Sequence, residues 1–248
     1  MRAVLMYHSI DNSGSPISIA PDVFRRHVEW LASGAVHVLP LRDLLGESNV
    51  PGDEDAVALT FDDGFENFAE QAMPLLHAND LPATMFVVSG HVGGDNRWGG
   101  VSRPGIPVLP LMGWDTLASL PAHGISLGAH TRTHPHLSRL SRDAQQAEIE
   151  GSQHDLLTHT GQRATDFAYP YGDFDDTTAT ICRPRFECTV TTEYRALGEA
   201  EDPARVPRLD AWYFRQDGAL ESWGTASFRL RLHMRAGARR AKRLLRAD

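Results

Sequence analysis

Leu59-Thr60-Phe61-Asp62-Asp63-Gly64 is the stretch on which the reading of this chain turns. An apolar run from Ala56 to Leu59 ends abruptly in two adjacent carboxylates and a glycine, and a helix-like segment follows. Neighbouring side chains on a strand point to opposite faces. Asp62 and Asp63 can therefore serve one site only where the strand ends and the backbone turns. Gly64, lacking a Cβ, permits that turn. Two carboxylates side by side at a buried strand end repel each other unless a cation compensates. Asp-Asp-Gly is also an ordinary surface turn, so its meaning depends on what accompanies it.

Outward from this stretch, short apolar runs alternate with helical patterns. Strands are expected at 4–7, 36–39, 56–60, 83–88, 125–129, 166–169, 188–191 and 204–209. Helices are expected at 21–32, 41–45, 65–77, 114–120 and 141–160, the last capped by Ser141. The segment 89–113 is rich in glycine and proline and contains Trp98; a loop this long in a compact domain is usually functional or disordered. Strands alternating with helices imply a parallel sheet. At 248 residues the expected fold is α/β, a distorted (β/α) barrel of about seven strands. In such barrels function collects where strands end. His8, Asp62-Asp63, His130 and Pro170-Tyr171-Gly172 all follow expected strands.

Composition narrows the classes. With 42% hydrophobic and 23% charged residues the chain is an ordinary globular protein, and no segment approaches the ~18 consecutive apolar residues of a membrane span. The apolar run at 3–7 is too short for a signal-peptide core, so the chain is expected to remain in the cytoplasm. Cys182 and Cys188 offer no disulfide framework and are expected as free thiols. Residues 228–248 hold eight basic side chains and one acid, while the remainder holds 16 basic and 31 acidic ones. The expected organisation is a domain over 1–224 and a basic, helical extension over 225–248. The negative bulk charge argues against a nucleic-acid surface on the domain.

Gly128-Ala129-His130-Thr131-Arg132-Thr133-His134-Pro135 places two histidines at i and i+4. A helical turn or a tight loop would bring them together, and two imidazoles with one carboxylate make a common zinc triad that leaves a position open. Asp63, His130 and His134 are the candidate ligands. The Thr60-to-Gly64 motif followed by the His130-to-Pro135 motif resembles the polysaccharide deacetylase family, the NodB-homology carbohydrate esterases, over roughly residues 1–209. The resemblance implies metal-dependent removal of N- or O-acetyl groups from sugars, with Asp62 as general base and Asp63, His130 and His134 holding Zn2+ or another divalent transition metal.

The family's third motif usually reads Arg-Pro-Pro-Tyr-Gly, and here the aligned stretch is Ala168-Tyr169-Pro170-Tyr171-Gly172. The Tyr171 position matches, and its backbone N–H is the implied oxyanion donor. The arginine that orients the base is replaced by Ala168; Arg208, near the last expected strand end and close to Asp210, is the candidate substitute. The general acid of the family is usually a histidine on the final strand, a pattern that Leu230-Arg231-Leu232-His233 matches on paper. His233 falls in the basic tail, however. The opening Val4-Leu5-Met6-Tyr7-His8 resembles the exopolysaccharide (poly-N-acetylglucosamine) deacetylases, whose catalytic histidine sits on the first strand, and makes His8 the preferred acid. A base that must be ionised and an acid that must be charged imply a bell-shaped pH profile.

The expected substrate is an N-acetylated sugar, free, lipid-linked or polymeric, in glycoconjugate or exopolysaccharide biosynthesis. Two other readings stay open: a metal-dependent hydrolase of a non-sugar or cyclic amide, and a non-catalytic carbohydrate-binding protein, which only Ala168 supports. The basic tail, with Arg229, Arg231, Arg235, Arg239, Arg240, Lys242, Arg243 and Arg246 among leucines, reads either as a solvated tail or as an amphipathic helix on an anionic membrane at its inner face.

Overall fold

Runs with apolar residues at successive positions need cover on both faces, and the chain supplies it with helices laid over a curled sheet. The computed structural model describes residues 1–46 and 54–244. β1 (Arg2–Tyr7) is followed by the two-residue strands β2 (Ser9–Ile10) and β3 (Ser18–Ile19), helix α1 (Pro21–Ala32), β4 (His37–Val38) and α2 (Leu41–Leu45). β5 (Ala56–Phe61) leads through a π-helical turn at Phe68–Ala72 into α3 (Met73–Ala78), then β6 (Ala83–Val87). After a long excursion come α4 (Trp114–Ser119), β7 (Ile125–Ala129), α5 (Arg142–Thr160) and β8 (Asp166–Ala168). α6 (Asp176–Cys182), β9 (Cys188–Val190), β10 (Leu209–Asp210) and α7 (Ala226–Leu244) complete the fold.

The strands run parallel in the order β10-β1-β5-β6-β7-β8-β9, and β4 pairs with the start of β5. The expected distorted (β/α) barrel is what forms. Side-chain parity separates its two faces. Ala56 and Ala58 pack with Val4, Phe86, Ala168, Cys188 and Val190 inside the curl, closed below by Leu41 and Leu44 of α2. Val57, Leu59 and Phe61 pack with Leu5, Tyr7, Phe24, Met85 and Ile149 in the layer under the helices. The interior is tight: a Cβ on Gly128 would lie 2.4 Å from the Phe86 ring. The seam is spanned by 206–210, where Val206 bridges Val190 of β9 and Leu209 pairs with Leu5 of β1.

Four details differ from the expectations. The strand expected at 204–209 is only the Val206 bridge and β10, because the segment crosses the seam obliquely. The helix expected at 65–77 opens as a π turn, for Pro74 has no N–H and its ring crowds the preceding turn. α6 has no counterpart in the sequence reading; its signal was the reciprocal capping of Asp175 and Thr178. The excursion 89–113 is anchored, not loose. Its bridges join Phe65 to Leu111 and Asp95 to Pro110, and the buried Asn96 amide bonds the Pro107 carbonyl and the Leu109 N–H at 3.0 and 2.9 Å.

α7 packs on the barrel through Phe228 and Leu232, both buried with Phe214, Leu220 and Trp223. Leu245 and Arg246 of the basic tail lie outside the described residues. Among those described, no helix is long and apolar enough to cross a membrane. Cys182 and Cys188 are buried free thiols.

Candidate active site

Asp62 continues the inward parity of Ala56, Ala58 and Thr60 past the end of β5, so its carboxylate enters the barrel mouth almost fully buried. A carboxylate there needs a partner, and Arg208, itself buried, is that partner. Its Nη1 and Nη2 donate to the two oxygens of Asp62 at 2.7 and 2.8 Å. Two further donors are used: Nε to the Thr191 carbonyl at 2.9 Å and Nη1 to the Thr60 hydroxyl at 3.2 Å. The guanidinium thus sits in one pose on the barrel seam, reaching the carboxylate from the opposite end of the chain. Burial pushes the Asp62 carboxyl up, and Arg208 and His130 outweigh it, bringing it to about 2.

Asp63 would point outward if the strand continued. Its φ of 75° turns it back, and Gly64 at φ 86° completes the reversal. His130 follows β7, and the path to His134 is a loop, not a helix, in which Thr131 and His134 have φ of 66° and 59°. Asp63 Oδ1 lies 3.6 Å from His130 Nε2 and 3.4 Å from His134 Nε2, and the two Nε2 atoms are 3.2 Å apart. His130 Nδ1–H donates to the Ala168 carbonyl at 2.7 Å, which leaves Nε2 bare in the neutral ring. Among the described residues the buried Asp63 Oδ1 has no hydrogen-bond partner. Burial raises the Asp63 carboxyl, and it lowers both imidazoles, His134 well below its usual range with His130 adding to the effect. Lone pairs converging on one point around an orphaned oxygen fit a divalent cation, and the donor set of two imidazoles and a carboxylate suits Zn2+.

His8 follows β1, with Nε2 3.8 Å from Asp62 Oδ2, and it lines the cleft with Asp62. His233 is exposed on α7, where Nδ1–H donates to the Arg229 carbonyl, and is not brought to the cleft. Tyr171 has φ 60°, and its hydroxyl meets His134 Nδ1 at 2.8 Å. Three contacts of the cleft were not expected from the sequence. Trp98 stacks on His134 at 4.7 Å between ring centres, Arg103 binds the Tyr171 hydroxyl and lies 4.5 Å over its ring, and Glu148 of α5 cradles the histidine loop. The Glu148 carboxylate accepts from the N–H groups of Arg132 and Thr133 at 2.8 and 2.9 Å and from the Thr133 hydroxyl. The only advance signal was Trp98 itself, an aromatic in a long loop.

A family model described as polysaccharide deacetylase matches residues 49–184. The Bacillus subtilis (strain 168) protein YxkH is 27% identical over 194 residues, 77% of this chain and 64% of YxkH, so the chain spans less than two thirds of that relative. A poly-beta-1,6-N-acetyl-D-glucosamine N-deacetylase of Staphylococcus aureus (strain MRSA252) is 24% identical over 77% of this chain and 67% of its own. Among solved structures, the Streptococcus pyogenes deacetylase PplD in complex with acetate superposes with a TM-score of 0.70 at 25% identity, covering 84% of this chain and 91% of that one. The matched segment is more than half of the chain and contains Asp62, Asp63, His130, His134 and Tyr171. The chain belongs to the polysaccharide deacetylase family.

Proposed function

We propose that this chain is a metal-dependent deacetylase that removes the acetyl group from an N-acetylated sugar unit, in glycoconjugate or exopolysaccharide biosynthesis. The observation that carries this reading is the doubly hydrogen-bonded Asp62–Arg208 pair set beside the converging, buried Asp63, His130 and His134, with His8 next to Asp62. Asp63, His130 and His134 would hold the metal. What a metal supplies in such a site is Lewis acidity toward the acetyl carbonyl and the attacking water, enough for a carboxylate as weakly basic as Asp62 to take the water's proton.

Arg208 keeps Asp62 ionised at neutral pH and fixes the direction of its lone pairs, which is what a general base needs. The Tyr171 N–H, at a turn on the cleft wall, is the donor for the oxyanion. His8 delivers a proton to the departing amine, which is a poor leaving group without one. Trp98 at the cleft mouth offers a flat apolar surface of the kind that suits a sugar ring. The name of the Staphylococcus aureus relative makes oligomers of N-acetylglucosamine the first substrates to try.

The test is acetate release from N-acetylglucosamine in free, nucleotide-linked, lipid-linked and oligomeric form, with added zinc and with chelator. Release that needs zinc and disappears in Asp62→Asn is expected. No release from any form, with zinc bound, would transfer the site to a non-sugar amide or to binding alone.

A further inference from the structure

α7 has two apolar stripes where a surface helix needs one. Phe228 and Leu232 face the protein and are buried. Leu230 and Met234, one turn apart, face away and are 59% and 60% exposed. Gly237 and Ala238 continue the outer side. Nothing in the folding of the barrel requires this second stripe.

Arginines border it. Arg231, Arg235 and Arg239 follow one another at i+4 and line a groove with Tyr213, Met234 and Ala238. Arg235 lies 4.0 Å over the Tyr213 ring, and Arg231 binds the Ser222 hydroxyl. Among the described residues neither has a carboxylate partner, whereas Arg239 approaches Asp210 at 3.9 Å. Arg229 and His233 are exposed as well. Residues 228–248 carry eight basic side chains and one acid on a molecule whose remainder carries 16 basic and 31 acidic ones. This face is therefore complementary to an anionic surface. The apolar stripe decides which kind, since a polyanion in water has no hydrocarbon to receive Leu230 and Met234, whereas a bilayer does.

We propose that the outer face of α7 is a docking surface for an anionic lipid bilayer, with Leu230 and Met234 entering the headgroup layer and Arg231 and Arg235 holding lipid phosphates along the groove beside Tyr213. The surface shares a wall with the cleft: Arg239 donates to the Thr192 carbonyl at 3.3 Å, and Thr192 lines the cleft.

Cosedimentation of the full chain with vesicles tests this. Equal parts of phosphatidylglycerol and phosphatidylcholine should bind it in a salt-sensitive way, and pure phosphatidylcholine should bind it weakly. The double change Arg231→Gln, Arg235→Gln should lower the partition coefficient roughly 30-fold. Leu230→Gln with Met234→Gln should also weaken binding while leaving the urea midpoint unchanged, because both side chains are already in solvent. Equal partition to the two vesicle types, or variants that bind like the parent, would overturn the proposal. So would tighter binding to duplex DNA that ignores the Leu230 and Met234 changes.

Discussion

Two buried aspartates titrate in opposite directions and predict opposite responses to pH. Asp62 is brought to about 2 because Arg208 and His130 outweigh the burial that would raise it. The unfolded chain therefore binds more protons between the ordinary value of 3.8 and about 2. The stabilisation, about 2 kcal/mol, is present above pH ~4 and lost as pH falls toward 2. Arg208→Met leaves a buried carboxylate without its partner. The expected result is an acid limb of kcat/KM at least about one pH unit higher, a fall in kcat of about 100-fold and a stability loss of about 3 kcal/mol. An unmoved acid limb would mean that Arg208 does not govern Asp62. Asp166, at the start of β8, is raised to about 6 by burial, with Glu187 adding to it against Arg42, and among the described residues its Oδ1 has no hydrogen-bond partner. Here the folded chain binds more protons, so stability falls as pH rises from about 4 to about 6. Asp166→Asn removes that fall. Urea unfolding should show the variant more stable by on the order of 2 kcal/mol at pH 7 and equal to the parent at pH 3.

Turns, more than strands, decide the geometry of the site. Among the described residues five non-glycine ones have positive φ, and four of them are Asp63, Thr131, His134 and Tyr171. Such a backbone is strained for these residues and persists only where its surroundings over-determine it. Strand ends were readable because apolar runs stop there. Gly64 and Gly172 announced turns, but no residue type announced that Asp63 and Tyr171 would themselves be left-handed. The histidine loop owes its shape to α5, whose Glu148 binds three of its donors. Glu148→Ala should therefore lower zinc affinity at least about 10-fold in a chelator competition titration, with helix content unchanged. Parent-like affinity would show that the loop holds its shape unaided. α6 escaped the sequence reading because its buried side is largely small or polar, with Thr178 and Ala179 where a helical stripe would show leucines.

Across the whole molecule, the motif-bearing part of the site lies in the matched segment, 49–184, and two further residues named from the sequence, His8 and Arg208, lie outside it. His8 and Arg208 come from the two flanks of that segment: the pairing of β1 with β5 sets His8 beside Asp62, and the seam segment brings in Arg208. Spacing cannot reveal a partner 146 positions away. The loss of the motif arginine at Ala168 called for a replacement; Arg208 was the candidate by its place near the last expected strand end, and its contact with Asp62 is seen only in the tertiary fold. α7 belongs to this scale too. Ending the chain at Gly224 removes Phe228 and Leu232 from the core and should cost about 4 kcal/mol in urea unfolding. An unchanged midpoint would make α7 energetically dispensable. The seam strand also imposes an order in time. A growing chain has all three candidate metal donors once residue 134 is made, yet Glu148 and Ala168, which hold the histidines in place, and Arg208, which holds Asp62, are all made later. The proposed site is therefore complete only when the last strand locks home.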